Sequence, residues 1–216
     1  MATYVFSDLH GRKDLWLKAN REVFGPNDTI YFLGDAADRG PDGWELIKLL
    51  LDDPRVIYIK GNHEEMLIEA IEKPLLNLRL LELNGGATTY DGYICDSEKN
   101  QKKYISKLKE LPLLIITQNN TGQIINLSHA GYTPIYNPTE DDLLWDRSHI
   151  YHEWPENENS IVIHGHTPIQ HLIDNKDCQI VCYADDHKYD IDLGAFISNK
   201  LGILNLDTFE EIIVEV

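Results

Sequence analysis

The stretch YFLGDAADRGP, residues 31–41, poses the question that the rest of the chain answers. An apolar run of the kind that fills a buried strand stops at Gly34 and gives way at once to Asp35, Asp38 and Arg39. A strand ending in carboxylates and a guanidinium is either a polar turn before the next helix or a site that holds metal and phosphate. The neighbouring segments discriminate between the two.

On either side, the runs at 3–6, 29–33 and 55–59 are β-rich and continuously apolar, which suits central strands covered on both faces. Between them, 13–23 places Trp16, Ala19 and Val23 on one helical face. Residues 42–53 do the same with Trp44, Ile47 and Leu51, after Pro41 as a start signal. This β-α-β-α-β order predicts parallel strands and an α/β fold. Residues 63–110 read as helical, interrupted at Pro74 and at the Asn-Gly-Gly of 84–86. Strands are expected at 113–117, 123–127, 160–164, 179–183, 200–206 and 210–216, with a turn at 118–122. Residues 132–159, rich in Pro, Asn, Trp and acid, read as a long surface loop. Its aromatics Tyr132, Tyr136, Trp145, Tyr151 and Trp154 are expected to pin it to the core rather than to stack on a ligand. No repeat or linker divides the chain, so residues 1–216 are expected to form one domain.

The bulk properties narrow the class. With 43% hydrophobic and 25% charged residues the chain is of ordinary globular composition. A net charge of −17 argues against a general nucleic-acid or membrane-surface partner, which requires a basic face. No apolar run approaches the roughly 18–20 residues of a membrane span, and the N-terminus has no basic-then-apolar leader. Cys95, Cys178 and Cys182 have neither zinc nor redox spacing and read as reduced thiols in a cytoplasm.

The chemistry sits at the ends of the apolar runs. The first ends in Asp8 and His10, the second in Asp35, Asp38 and Arg39, the third in Asn62, His63 and Glu64. The strands at 123–127 and 160–164 end in His129 and His166. Singly, each fragment is a turn, a surface ion pair or a core histidine. Together they put oxygen and imidazole donors beside glycines at five strand ends, where open α/β sheets bind ligands. Donors without thiolate suit Mn, Fe, Zn, Ni or Mg.

In this order, DLHG, GDAADRG, GNHE, SHAG and HGHTP resemble the signature of calcineurin-like metallophosphoesterases, and more narrowly of the phosphoprotein phosphatases, including their compact bacterial and phage members. The match covers roughly residues 3–168 and is continued by YDIDLGAF at 189–196, which is similar to a glycine-bearing strand near the family's C-terminus. The resemblance implies a four-layer α-β-β-α sandwich with two divalent metals, Mn2+ first among them, at the C-terminal ends of the strands. It implies Asp8 and His10 on the first metal, Asp35 bridging, and Asn62, His129 and His166 on the second. It gives His63 as the general acid oriented by Asp38. Arg39 and Arg147 become phosphate ligands with Asn62, Arg147 on the strength of Trp-Asp-Arg alone.

Two cations roughly 3.5–4 Å apart would clamp both oxygens of an in-line displacement, planar guanidinium forks suit phosphate, and bound metal answers the objection raised by the acidic charge. Pro168 stands where nuclease-type relatives carry a further histidine, which lowers the nuclease reading. His164 is either support for the site or a structural residue. The expected activity is a serine/threonine, or dual-specificity, protein phosphatase acting on a phosphorylated protein or peptide. The alternatives are a symmetrical diadenosine tetraphosphate hydrolase, or another small phosphorylated metabolite as substrate, and a catalytically silent binding module.

Overall fold

The structure is a computed structural model and describes residues 1–134, 137–156, 158–172 and 178–216; Tyr136, one of the loop aromatics singled out above, lies outside the described residues. The expected parallel core forms. Strands β1 (Thr3–Phe6), β2 (Thr29–Phe32) and β3 (Val56–Tyr58) pair in parallel, with Phe6 opposite Phe32 and Phe32 opposite Tyr58. Helices α1 (Lys13–Glu22) and α2 (Gly43–Asp52) connect them. Four helices come next: α3 (Asn62–Glu72), α4 (Pro74–Leu83), α5 (Ala87–Cys95) and α6 (Glu98–Lys109).

The second sheet begins with the hairpin of β4 (Leu114–Gln118) and β5 (Ile124–Ser128), turned at the predicted Gln-Asn-Asn-Thr-Gly. Strand β6 (Ile161–His164) joins β5 in parallel. Strands β7 (Val181–Tyr183) and β8 (Lys188–Asp190) complete that sheet, in the order β4-β5-β6-β8-β7. The chain then returns to the first sheet with β9 (Lys200–Asn205) and β10 (Glu211–Glu215), giving β10-β9-β1-β2-β3.

The continuous apolar runs are explained by burial on both faces. Val5, Tyr31, Leu33 and Ile59 point between the sheets onto Ile125, Leu127, Ile161 and Ile163. The alternate residues Phe6, Phe32 and Tyr58 point outward, onto the Trp16 and Trp44 faces of α1 and α2. Each such enclosed side chain stabilises the fold by about 1.5–3 kcal/mol.

The outer layer on the second sheet is thin. Residues 132–159, expected to be irregular, contain the short helix α7 (Glu140–Trp145) and a 3-10 turn at Ser148–Tyr151. Tyr132 and Leu143 pack there on Val162, and Trp154 packs against them, as expected of pinning aromatics; Tyr151 is instead 82% exposed. The strand that the resemblance implied within 189–196 is the short β8, which ends at Asp190; the same stretch runs on into the unread α8 (Ala195–Ser198), which begins after Gly194 at φ +63°.

Parallel pairing puts the C-terminal ends of β1, β2 and β3 at one edge, and those of β5 and β6 beside them. Gly165 sets how closely the two sheets approach there: a Cβ on it would lie 2.0 Å from Asp8 Oδ2.

Candidate metal centre and phosphate site

Every metal and catalytic residue predicted from the sequence is buried at this edge: Asp8, His10, Asp35, Asp38, Asn62, His63, His129 and His166; the predicted phosphate ligands Arg39 and Arg147 are exposed. The backbone there is unusual. Asp8, His10, Asp35, Asp38, Arg39 and His166 all have positive φ, between 44° and 72°. For residues with a Cβ that conformation is costly and persists where the surroundings over-determine it.

Glu64 supplies much of that constraint. Its Oε2 accepts from the backbone N–H of Asp35 at 2.8 Å and of Gly61 at 2.9 Å. Its Oε1 accepts from Ala36 at 2.9 Å and Ala37 at 3.2 Å. The carboxylate therefore holds the whole turn of residues 34–37 against the first turn of α3. In the sequence, Glu64 reads only as the end of a motif. Gly34, at φ +95°, admits the contact, since a Cβ there would lie 2.5 Å from Gly61 N.

The donors converge in two groups that share Asp35: His10, Asp35 and His63, and Asp35, His129 and His166. Asp35 Oδ2 faces His10 Nε2 at 3.6 Å, while Oδ1 faces His129 Nε2 at 3.5 Å and accepts from the His63 backbone at 3.0 Å. Asp8 Oδ1 lies 3.9 Å from His10 Nε2 and has no hydrogen-bond partner. Asn62 Oδ1 lies 2.8 Å from His129 Nε2 and 3.1 Å from His166 Nδ1.

The tautomers test whether these residues fit a cation. His129 Nδ1 is 2.8 Å from the Leu33 carbonyl, and His10 Nδ1 is 2.9 Å from the Ala37 carbonyl, so those nitrogens carry the protons. Each Nε2 then directs a lone pair at another acceptor. Converging lone pairs repel unless a cation lies between them, and a histidine held by a carbonyl behind it is the usual arrangement of a metal ligand. Burial, followed by the charge of His63, holds His10 well below the ordinary histidine range; burial and His129 do the same for His166. Burial, only partly offset by His63, pushes Asp35 well above the carboxylate range in the absence of a cation. The residues fit two divalent ions.

His63 is placed differently. Its Nδ1 lies 2.7 Å from Asp38 Oδ2 and its Nε2 3.1 Å from Arg39 Nη2. Burial opposes a charge on this ring, but Asp35 and the Asp38 hydrogen bond outweigh it, so its proton affinity is raised. Asp38 is in turn fixed by its own N–H, which donates to Thr89 Oγ1 at 2.8 Å. Arg39 stacks on Phe196, 4.6 Å from the ring centroid, and with Arg147 lines a cavity beside His166.

His164 turns away from this cluster. Its Nε2 meets the Tyr183 hydroxyl at 2.6 Å, and burial lowers it to about 4. Two further buried carboxylates, Asp190 and Asp192, went unread. Burial pushes both well above the carboxylate range, Asp192 adding to the effect on Asp190 and Asp8 to that on Asp192.

A two-sheet sandwich with carboxylate, amide and imidazole donors gathered at adjoining strand ends defines a phosphoesterase of the metal-dependent class. The chain belongs to the calcineurin-like phosphoesterase family, whose sequence pattern matches residues 1–189. It is similar to serine/threonine-protein phosphatase 2 of Escherichia coli, with 33% identity over 133 residues, covering 60% of this chain and 58% of that protein's length. It is also similar to an asymmetrical bis(5'-nucleosyl)-tetraphosphatase of Oceanobacillus iheyensis, 26% identical over 81% of this chain and 72% of that one. Among solved structures, a protein serine/threonine phosphatase from Saccharomyces cerevisiae superposes with a TM-score of 0.67 at 16% identity, over 100% of this chain and 80% of that chain. That likeness concerns the fold.

Proposed function

We propose that this chain is a metal-dependent phosphomonoesterase acting on phosphorylated protein or peptide. The observation that carries the reading is the Asp38–His63–Arg39 line, set beside the two donor groups that share Asp35. Asp8, His10 and Asp35 would hold one cation, and Asp35, Asn62, His129 and His166 the other. Two divalent ions, Mn2+ first among those the donors suit, supply Lewis acidity and activate water when bound.

The chain's own residues do the rest. Arg39 and Arg147 grip phosphate oxygens with planar forks, and Asn62 adds an amide at the same end of the site. In the free site Nε2 of His63 accepts from Arg39 while Nδ1 donates to Asp38. A phosphate drawing Arg39 toward itself frees Nε2 for a second proton, which the two carboxylates stabilise. His63 then presents that proton to the departing alkoxide, while Asp38 fixes the ring. All donors being present argues against a silent binding module.

A second reading, hydrolysis of a dinucleoside tetraphosphate, is favoured by the relative of that name. The intact Asp-Arg-Gly at 38–40 and Glu64 after His63 favour the phosphatase. The test is turnover of metal-stripped, Mn2+-reconstituted protein on p-nitrophenyl phosphate, a phosphothreonine peptide and diadenosine tetraphosphate. Phosphate release from the first two, with the dinucleotide slow, is the expected result. Preferential cleavage of the dinucleotide overturns it.

A further inference from the structure

Helix α4 is apolar on both of its sides. Leu81 is fully enclosed and Leu78 packs on the main core, which accounts for the inner side. The outer side carries Leu75, Leu76, Leu80 and Leu83, with exposures of 100%, 76%, 46% and 74%. A helix on a protein surface ordinarily turns polar residues outward, and contiguous exposed apolar patches on monomers are uncommon. At helical spacing, Leu76, Leu80 and Leu83 form one stripe along the outer side. Arg79 and Glu82 stand on one flank of that stripe, both exposed and neither in an ion pair among the described residues. A lipid surface is a poor match for the patch, because the chain carries a net charge of −17 and Glu82 borders the leucines.

The stripe fits itself. Counted from Leu80, a leucine stands four residues before and another three residues after; Arg79 stands one residue before and Glu82 two after. The pattern is therefore palindromic to within one residue. A two-fold axis opposite Leu80 brings Leu76 of each copy against Leu83 of the other, and the two Leu80 side chains together. Antiparallel helices related by such an axis turn the same flank toward each other. The same operation thus sets Arg79 of one copy beside Glu82 of the other, twice. A patch that complements itself in both shape and charge is what a two-fold contact requires.

We propose that the outer face of α4 is the interface of a homodimer of this chain. The inference is independent of which substrate the metal centre takes. One helix against its symmetry mate is at the small end of specific interfaces, so a Kd on the order of 10 μM is expected.

The test is sedimentation velocity of the full chain from about 1 to 200 μM, in about 0.15 M salt, where the Debye length is near 8 Å and the like net charges of two copies are largely screened. Wild type is expected to pass from monomer to dimer across that range. Leu80→Glu is expected to weaken association at least about 100-fold. Leu76→Glu, at a more exposed position, should show the same loss and keeps the test valid where Leu80→Glu disturbs folding. Arg79→Glu and Glu82→Arg should each weaken the dimer about tenfold, since each sets like charges against one another at both flanks. An equimolar mixture of those two variants should recover wild-type association, because opposite charges then meet at both contacts. Only a contact between copies gives this recovery.

A chain that stays monomeric to the top of that range, a dimer indifferent to both leucine variants, or a mixture no tighter than its components overturns the proposal. A monomer in which Leu80→Glu raises KM for a phosphothreonine peptide, but not for p-nitrophenyl phosphate, assigns the face to substrate and overturns it as well.

Discussion

Replacing Lys188 with methionine tests the energetics of the segment that carries Arg147. Lys188 lies on β8 and is fully enclosed, yet its Nζ donates to Thr133 Oγ1 at 3.0 Å and to the carbonyls of His149 and His152. One buried ammonium thereby ties residues 133, 149 and 152 to the second sheet, with Trp154 and Tyr183 rings nearby. Burial lowers its pKa to about 8, from an ordinary 10.5. Below pH 8 the lysine is charged in both the folded and unfolded chain, and the cost of burying the charge is constant. As pH rises from 8 toward 10.5 the unfolded chain binds the extra proton, so the cost is relieved and stability increases.

The whole shift corresponds to about 3 kcal/mol. Solvent near the exposed His152 screens part of it, so about 1–2 kcal/mol is expected to return between about pH 7 and pH 9.5. The assay is urea unfolding of wild type and Lys188→Met at both pH values. Taking the difference between the two proteins removes the titrations they share. Wild type should gain on the variant by that amount at the higher pH. A flat difference would mean the ammonium is solvated, and a loss would mean an acid pairs with it; either outcome rules out this account of Lys188.

Two further outcomes are expected. His63→Asn should lower kcat on alkyl phosphate esters about 10²–10⁴-fold while metal content, measured by elemental analysis, stays near that of wild type; loss of metal would reassign His63 as a ligand, the role its position near Asp35 would also permit. Glu64→Gln replaces one carboxylate oxygen, which only accepts, with an NH2 donor facing backbone N–H donors, so two of the four bonds are lost. It should unfold about 2–4 kcal/mol more easily in urea and lose activity with it; wild-type stability would show that the turn holds itself.

The parallel α/β core was legible because strands buried on both faces must be apolar throughout, as β1 and β2 are, and because helical faces such as that of Trp44, Ile47 and Leu51 repeat at helical spacing. The irregular reading of 132–159 missed α7 because six residues give too little periodicity. Strand β8 was legible only through the family resemblance at 189–196, because Lys188, Tyr189 and Asp190 form too short and polar a run to be read as a buried strand from pattern.

Which residues stand at strand ends, and what their side chains can bind, is written in the sequence. Asp, Asn and His beside glycine occur there in local motifs, and donor chemistry is a property of each residue alone. How these residues face one another belongs to the packed molecule: Asp35 turns one oxygen to each donor group, Glu64 holds its turn, Arg39 reaches His63, and Lys188 tethers the segment bearing Arg147. These relations join residues far apart in the chain through distances and directions, which arise only when both sheets have packed and the backbone has been forced into its left-handed turns.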